Sequence, residues 1–301
     1  MTPEPTAPSG PGCTPAVHDR ITAAFTDAGV TGQLYATDID TGAGCAVAAD
    51  TPTPTASVHK LCLVATLYHE AAHGRVDLGH PLDIPAEGRS PGSTGLAVMR
   101  DAARLSLRDL ASLAIAVSDN TAADLLFDTL GLDTVNACMR RLGLTGTIAV
   151  QTMRRLYATL REDAGPGPAA LTDPAAVGRL RALDPRHTNH STPRETAALL
   201  TAVWRDEVCA GGYGEELRAL LGLQAWSHRL AAGFPFDDVR VSGKTGTLPT
   251  LRHEAGVVEY PDGGRYAVAV FTRAATTTVT LPAADAAIGH AARIAVDALR
   301  A

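Results

Sequence analysis

The chain has 301 residues, of which 46% are hydrophobic and 19% charged, a composition typical of a globular protein with a substantial core. Its net charge is −6 and its basic residues are scattered, which argues against a nucleic-acid partner. The five cysteines are Cys13, Cys45, Cys62, Cys138 and Cys209. Because their number is odd and no C-x-x-C pair occurs, we expect neither a structural zinc site nor a disulfide framework.

The first fifteen residues are rich in Pro, Thr and Gly and contain neither the basic nor the apolar segment of a signal peptide. We expect residues 1–15 to be a flexible tail and residues 16–301 to be one domain. No window reaches the ~18 continuous apolar residues that a membrane span needs. The sequence as written therefore predicts a cytoplasmic protein with no membrane partner, secreted only if a leader has been removed.

In the first half of the chain, apolar residues at helical spacing predict a helix over 16–30. Two strands follow at 33–40 and 45–49, joined by a glycine-rich turn. A helix is predicted over 57–73 and further short helices between 105 and 143. Residues 145–192 show little amphipathic regularity, so this segment is predicted to be partly loop.

In the second half, Thr192 and Pro193 form a typical helix start, with proline in the first turn. Strands are predicted at 239–243, 253–260 and 265–273, and an alanine-rich helix at about 281–300. Two early strands, three late strands and a helical middle predict an α+β fold. Its antiparallel sheet is built from both chain ends with flanking helices, and an all-helical lobe completes it.

This pattern divides the domain into two lobes. The α/β lobe is predicted at about 16–60 and 205–301, and the helical lobe at about 61–204.

The first stretch that carries chemistry is Ser57-x-x-Lys60, directly before an apolar run. Residues three apart lie on one helical face, so Lys60 is expected to reach the Ser57 hydroxyl directly. Partial desolvation lowers the pKa of a lysine, and the neutral amine can accept the serine proton. Free N–H groups at the helix start favour developing negative charge. One turn thus offers a nucleophile, a base and part of an oxyanion hole.

Two later stretches complete the set. Ser118-Asp119-Asn120 offers a second hydroxyl for proton relay and an amide that can hold a substrate carbonyl. Lys244-Thr245-Gly246-Thr247 follows a predicted strand and offers a cation, a hydroxyl donor and a glycine that lets a ligand approach closely.

Taken alone, each stretch also has an ordinary structural explanation as a helix cap or a surface turn. Together they supply S-x-x-K, S-D-N and K-T-G in the order found in penicillin-recognising serine enzymes. The chain contains two lysines, and both lie in this set. The sequence therefore resembles the class A β-lactamase family, and the likeness extends over 117–126 and 241–247 and covers nearly the whole chain.

This resemblance implies roles for individual residues. Ser57 would be the acylated nucleophile, Lys60 its proton-transfer partner, and Ser118 the group that passes a proton to the leaving nitrogen. The backbone N–H groups of Ser57 and Thr247 would form the oxyanion hole.

The resemblance implies substrate-binding roles as well. Asn120 would bind the acylamino side chain, and Lys244 and Thr245 the substrate carboxylate, beside Gly246. Arg229 resembles an arginine that some members carry before the last catalytic strand; a solvated surface arginine is the alternative.

One departure from the family pattern affects the expected reaction. Class A β-lactamases carry a glutamate in an E-x-x-L-N motif that activates the hydrolytic water, and this motif is absent from 145–192. Glu162 is the only glutamate in that segment and is a candidate deacylating base, with Asp163, Asp173 and Asp184 as lesser candidates. Without a positioned base, deacylation slows by ~10²–10⁴-fold.

The sequence thus leaves three functions open for a small-molecule substrate, without a metal or other cofactor. The first is a serine hydrolase that forms an acyl-enzyme on Ser57 with a β-lactam or a related amide or ester, with slow deacylation. The second is an intracellular biosynthetic esterase, peptidase or acyltransferase, favoured by the lack of a secretion signal. The third is a penicillin-binding non-catalytic domain, which the complete motif set argues against.

Overall fold

The computed structural model describes residues 13–165 and 167–301. Its helices are α1 (Pro15–Asp27), α2 (Lys60–Ala72), α3 (Leu107–Ala116), α4 (Asn120–Leu130), α5 (Leu132–Arg141), α6 (Met153–Ala164), α7 (Pro174–Val177), α8 (Pro193–Trp204), α9 (Gly212–Leu221) and α10 (Pro282–Arg300). Its strands are β1 (Val30–Asp38), β2 (Gly44–Val47), β3 (Thr53–Pro54), β4 (Pro81–Ile84), β5 (Ala103–Ser106), β6 (His190–Ser191), β7 (Arg240–Leu248), β8 (Leu251–Glu259) and β9 (Arg265–Ala274).

The main sheet is antiparallel and has the strand order β2-β1-β9-β8-β7. Strand β1 pairs with β9 along its whole length, from Val30 opposite Ala274 to Asp38 opposite Tyr266. The first two strands of the chain are thus joined directly to the last three. The predicted α+β class, with one sheet built from both chain ends, is confirmed.

Helices cover both faces of this sheet. On one face α1 and α10 pack against β1 and β9, and residues such as Phe25 and Ile288 form an apolar layer with Val268 and Val270. On the other face α8 packs against β1 and β9, and the helical lobe continues the same core around α2. Strand β8 is buried along nearly its whole length, because both of its faces are covered. Within the described ranges, no helix is long and apolar enough to cross a membrane.

Helix α6 lies where the sequence predicts a partial loop. It begins at Met153 after Thr152, whose hydroxyl accepts a hydrogen bond from the Arg155 N–H. The buried carboxylate of Asp124 also accepts from the first two N–H groups of the helix. The apolar stripe of α6 is short, so the polar contacts at its first turn, which periodicity does not detect, help to define where it begins.

The expectation of no disulfide is wrong for one pair of cysteines. Cys13 and Cys45 form a disulfide between the residue preceding the α1 cap and strand β2, with their Cα atoms 4.7 Å apart. The other three cysteines are buried free thiols. The two partners are 32 residues apart, and only the packing of α1 on the sheet brings them together.

We predict that Cys45→Ala lowers the free energy of unfolding by about 3 kcal/mol, because the disulfide closes a loop of this length in the unfolded chain. Chemical denaturation of the oxidised protein measures the difference. A reducing agent should lower the stability of the unmodified protein and leave that of the variant unchanged. Equal stability of the two oxidised proteins would contradict the prediction.

Candidate active site

Ser57 lies in a single 3-10 turn, Ala56–His59, directly before α2. The helix predicted over 57–73 therefore begins later, at Lys60. Ala56 adopts the left-handed region with φ +50°, which turns the backbone sharply before Ser57. Ser57 is half-buried and lines a cavity of about 360 Å³.

Strand β7 runs very close to this turn at Gly246. A Cβ atom at position 246 would lie 2.7 Å from the Thr55 carbonyl oxygen and 3.2 Å from the Val58 nitrogen. Only glycine permits this approach. As a result Thr245 and Thr247 line the same cavity as Ser57.

The Lys60 side chain is buried and points to the loop before α4. Its Nζ donates to the Ser118 carbonyl oxygen at 2.6 Å and to the Asn120 Oδ1 at 2.8 Å, and lies 3.3 Å from the Ser118 Oγ. Hydrogen bonds of Nζ within the described chain go to residues 118–120, so the expected direct bond to the Ser57 hydroxyl is not made. Lys60 instead connects the turn that contains Ser57 to the second motif.

Burial lowers the pKa of Lys60 to about 7, while the carboxylates of Asp119 and Asp124 partly oppose this shift. Near neutral pH the amine is therefore close to half deprotonated. A lysine in this state can accept a proton and donate it again.

The Ser118–Asn120 loop is held in an unusual conformation. Ser118 has φ +59°, in the left-handed region, and the Asp119 carboxylate caps α4 and binds the Leu96 N–H. The Asn120 amide donates to the Pro91 carbonyl oxygen at 2.7 Å. These bonds fix the neighbouring segment 92–94 as one rim of the cavity.

Lys244 lies behind the cavity wall. It is fully buried on β7, and its Nζ donates to the Thr245 carbonyl oxygen at 2.9 Å. Burial and the nearby Lys60 hold the pKa of Lys244 well below its ordinary value, against the attraction of Glu254. Neither Lys244 nor Gly246 lines the cavity, so either would act on a substrate through the strand or from beneath it.

Arg229 lines the cavity, yet most of its guanidinium is already bound. Nε donates to Asp285 on α10 at 2.6 Å, Nη1 donates to the Gly246 and His253 carbonyl oxygens, and Nη2 donates to the Thr247 hydroxyl. The side chain is 6% exposed. Arg229 therefore connects α10 to β7, and within the described residues one of its N–H groups makes no hydrogen bond.

Glu162 lies outside the cavity. Its two carboxylate oxygens pair with Arg155 at 3.0 Å and with Arg181 at 2.8 Å, and its side chain is 47% exposed. The lesser candidates are also engaged: Asp163 pairs with Arg181, Asp173 caps α7 and Asp184 pairs with Arg186. In the described part of the chain, the residues lining the cavity include no aspartate or glutamate.

Sequence reasoning missed several residues that line the cavity, among them Tyr157, Trp226 and His228. Tyr157 ends the stretch Met153-Arg154-Arg155-Leu156-Tyr157, which keeps the spacing and leucine of E-x-x-L-N, with Met first and Tyr last. That leucine was the one feature of the sequence that could have indicated Tyr157 as a site residue. Met153 is buried one helical turn before Tyr157, on the same side of α6.

Comparison with known proteins identifies the family. A sequence model described as the β-lactamase enzyme family matches residues 16–299. The β-lactamase regulatory protein BlaB of Streptomyces cacaoi is 33% identical over 297 residues, covering 92% of this chain and 95% of the relative.

Solved structures agree with this match. The β-lactamase from Sphaerobacter thermophilus DSM 20745 is 26% identical and has a TM-score of 0.75, with 92% of this chain and 94% of that chain covered. A point mutant of PBP-A, solved as its acyl-enzyme complex with penicillin G, is 21% identical and has a TM-score of 0.78, over 97% of this chain and 99% of that one. This second likeness is one of fold.

We predict that Arg229→Ala lowers the free energy of unfolding by about 3 kcal/mol, because it removes the closest partner of the largely buried Asp285 carboxylate and leaves only Arg252, at 3.7 Å, and His228, at 4.0 Å. Urea denaturation measures the change. Arg154→Ala is a suitable control, since its pair with Asp128 is exposed and contributes at most about 1 kcal/mol. Equal losses in the two variants would argue against the connecting role of Arg229.

Proposed function

Because the chain belongs to the β-lactamase enzyme family and is a serine β-lactamase-like hydrolase, we propose that β-lactams acylate Ser57 and that the acyl-enzyme is hydrolysed slowly. One observation carries this proposal. The cavity around Ser57 offers hydroxyl, amide and cationic groups and, among its described lining residues, no carboxylate. The groups for acylation are present among these residues, whereas a carboxylate that could activate water is not.

In the proposed acylation, the Ser57 Oγ attacks the lactam carbonyl carbon while neutral Lys60 accepts the serine proton. The new C–O bond forms, and negative charge develops on the carbonyl oxygen, which the backbone N–H groups of Ser57 and Thr247 stabilise. The C–N bond then breaks. Ser118 donates its proton to the leaving nitrogen and takes one from Lys60, whose Nζ lies 3.3 Å from the Ser118 Oγ.

The substrate's remaining groups would contact the other cavity residues. Thr245 and the underlying Lys244 favour the substrate carboxylate, and the free N–H of Arg229 lies on the same wall. Asn120 contacts the acylamino side chain.

We expect slow hydrolysis because this chain has a different residue where the family has its water-activating glutamate. At that spacing the chain has Met153, a thioether without a titratable proton, and Tyr157 forms part of the cavity wall. General-base assistance contributes ~10²–10⁴-fold to such a step. The acyl-enzyme is therefore expected to accumulate.

We expect the acylation rate to rise with pH and to reach its midpoint at about 7, the pKa of Lys60. Below this pH the ammonium form predominates and cannot accept the Ser57 proton, so the rate should fall about tenfold from pH 8 to pH 6. Stopped-flow acylation with a chromogenic cephalosporin measures the profile. His228→Gln, which removes the imidazole from the cavity wall, should keep the profile, and Lys60→Ala should abolish acylation. A flat profile would refute the assignment of Lys60.

Intact-mass measurement during incubation with penicillin G, alongside absorbance of the β-lactam ring, tests the proposed function. We expect a persistent adduct on Ser57 and little ring loss beyond one equivalent. Met153→Glu should shorten the adduct lifetime about tenfold or more by supplying a base, while the uncharged Met153→Gln should not. Rapid ring loss without an adduct would mean efficient turnover by the unmodified protein, and the absence of both would mean a substrate other than a β-lactam.

A regulatory use of the acyl-enzyme is a second candidate, favoured by the relative named as a β-lactamase regulatory protein. A long-lived adduct suits a signal, since its lifetime rather than its turnover carries the information. In a β-lactamase induction assay in the native host, Ser57→Ala should then abolish the response and Met153→Glu should shorten it.

The disulfide between Cys13 and Cys45 indicates that the protein functions in an oxidising compartment, since such bonds persist outside the reducing cytosol. This differs from the cytoplasmic location expected from the sequence. Thiol titration of the protein isolated from its host, with alkylation at lysis, distinguishes the two locations.

A further inference from the structure

A second cavity adjoins the catalytic one. Its volume is about 210 Å³, and it is lined by Tyr157, Leu160, Arg161, Gly165, Gly167 and Leu171. Tyr157 also lines the cavity that contains Ser57. The tyrosine side chain is therefore a wall common to the two, and a substrate group passing it would leave the first cavity and enter the second.

The position of this cavity follows from the geometry of α6. Tyr157, Leu160 and Arg161 are spaced by three and four residues, so they lie on one side of the helix. Leu160 is buried and gives an apolar floor. Beyond the helix, Gly165 and Gly167 have φ values of +86° and +94°, and a Cβ atom at either would meet nothing within 4 Å. Among the described residues, neither glycine narrows this end of the cavity.

Arg161 gives the cavity a cationic edge. Its neighbours are paired: Arg155 with Glu162, and Arg181 with Glu162 and Asp163. Within residues 13–165 and 167–301, Arg161 itself makes no ion pair. The four ion-pairing residues balance in charge, and Arg161 adds a positive charge on the lining of the second cavity.

We propose that this second cavity binds the acyl side chain of the substrate, an extended aliphatic chain that passes Tyr157 and ends in a carboxylate paired with Arg161. The inference rests on the proposed acylation of Ser57 and names the substrate class. An apolar floor favours methylene groups, and the unpaired guanidinium favours an anionic end over a neutral one. Because Tyr157 lines both cavities, one molecule that extends past this side chain would occupy both.

The test compares three penicillins that differ only in their side chains: acetyl, hexanoyl and adipoyl, the last ending in a carboxylate. Second-order rates of Ser57 acylation are measured by intact mass. Each buried methylene should raise the rate up to about fourfold, so hexanoyl should exceed acetyl. The adipoyl compound should react about three- to fivefold faster than the hexanoyl compound, the range of a partly exposed ion pair.

Two variants and one control assign these differences to the cavity. Arg161→Gln should abolish the preference for adipoyl and keep the preference for chain length. Leu171→Trp, which fills the cavity, should abolish both. Arg154→Gln removes an exposed arginine of the same helix that lines neither cavity, so it should change neither preference. Equal rates for hexanoyl and adipoyl in the unmodified protein, or equal effects of the two arginine substitutions, would overturn the proposal.

Binding to Ser57→Ala separates this inference from the proposed function. Calorimetry with the adipoyl and hexanoyl penicillins measures non-covalent affinity, which should again favour adipoyl about three- to fivefold. If no penicillin acylates the unmodified protein while this preference persists, the acylation proposal fails and the cavity assignment stands. If acylation occurs and the preference is absent, the cavity assignment fails alone.

Discussion

The buried amine of Lys60 is the interaction on which the site depends. A buried nitrogen without partners would cost several kcal/mol, and here the partners come from another part of the chain, the carbonyl and amide oxygens of residues 118–120. The left-handed backbone of Ser118 and the cap made by Asp119 both serve this arrangement. The first turn of α2 and the start of α4 are thereby held at a fixed distance, with the Ser57 hydroxyl between the helical lobe and strand β7.

Local features of the sequence were sufficient to predict much of this structure. Short segments bounded by turn residues predict the five main strands, and the motifs at Ser57, Ser118 and Lys244 predict which segments meet. These features do not predict the rest of the cavity wall. Tyr157 and Trp226 come together only through the packing of α6 and the loop before β7. The Cys13–Cys45 bond escaped prediction for the same reason. The bonding of Lys60 to Ser118 rather than Ser57 depends on a 3-10 turn that helical periodicity does not resolve.

The charges around the cavity are divided in a consistent way. Carboxylates near it are used in the framework: Asp119 and Asp124 hold helix starts, and Asp285 holds Arg229. Glu254 accepts a hydrogen bond from the Leu230 N–H, and burial raises the pKa of Glu254 to about 7. The cavity itself retains hydroxyls and cationic groups. In the proposed reaction, this division would favour bond formation to Ser57 over attack by water, and the cationic groups would favour an anionic substrate.

The pairing of β1 with β9 also constrains when the site can form during synthesis. The segment with Ser57 emerges from the ribosome well before the strand that contacts its turn at Gly246 and the helix that holds Arg229. Pairings this distant in sequence form late and slowly. The nascent chain therefore contains Ser57 without a complete site until β7 and α10 have been made and can fold.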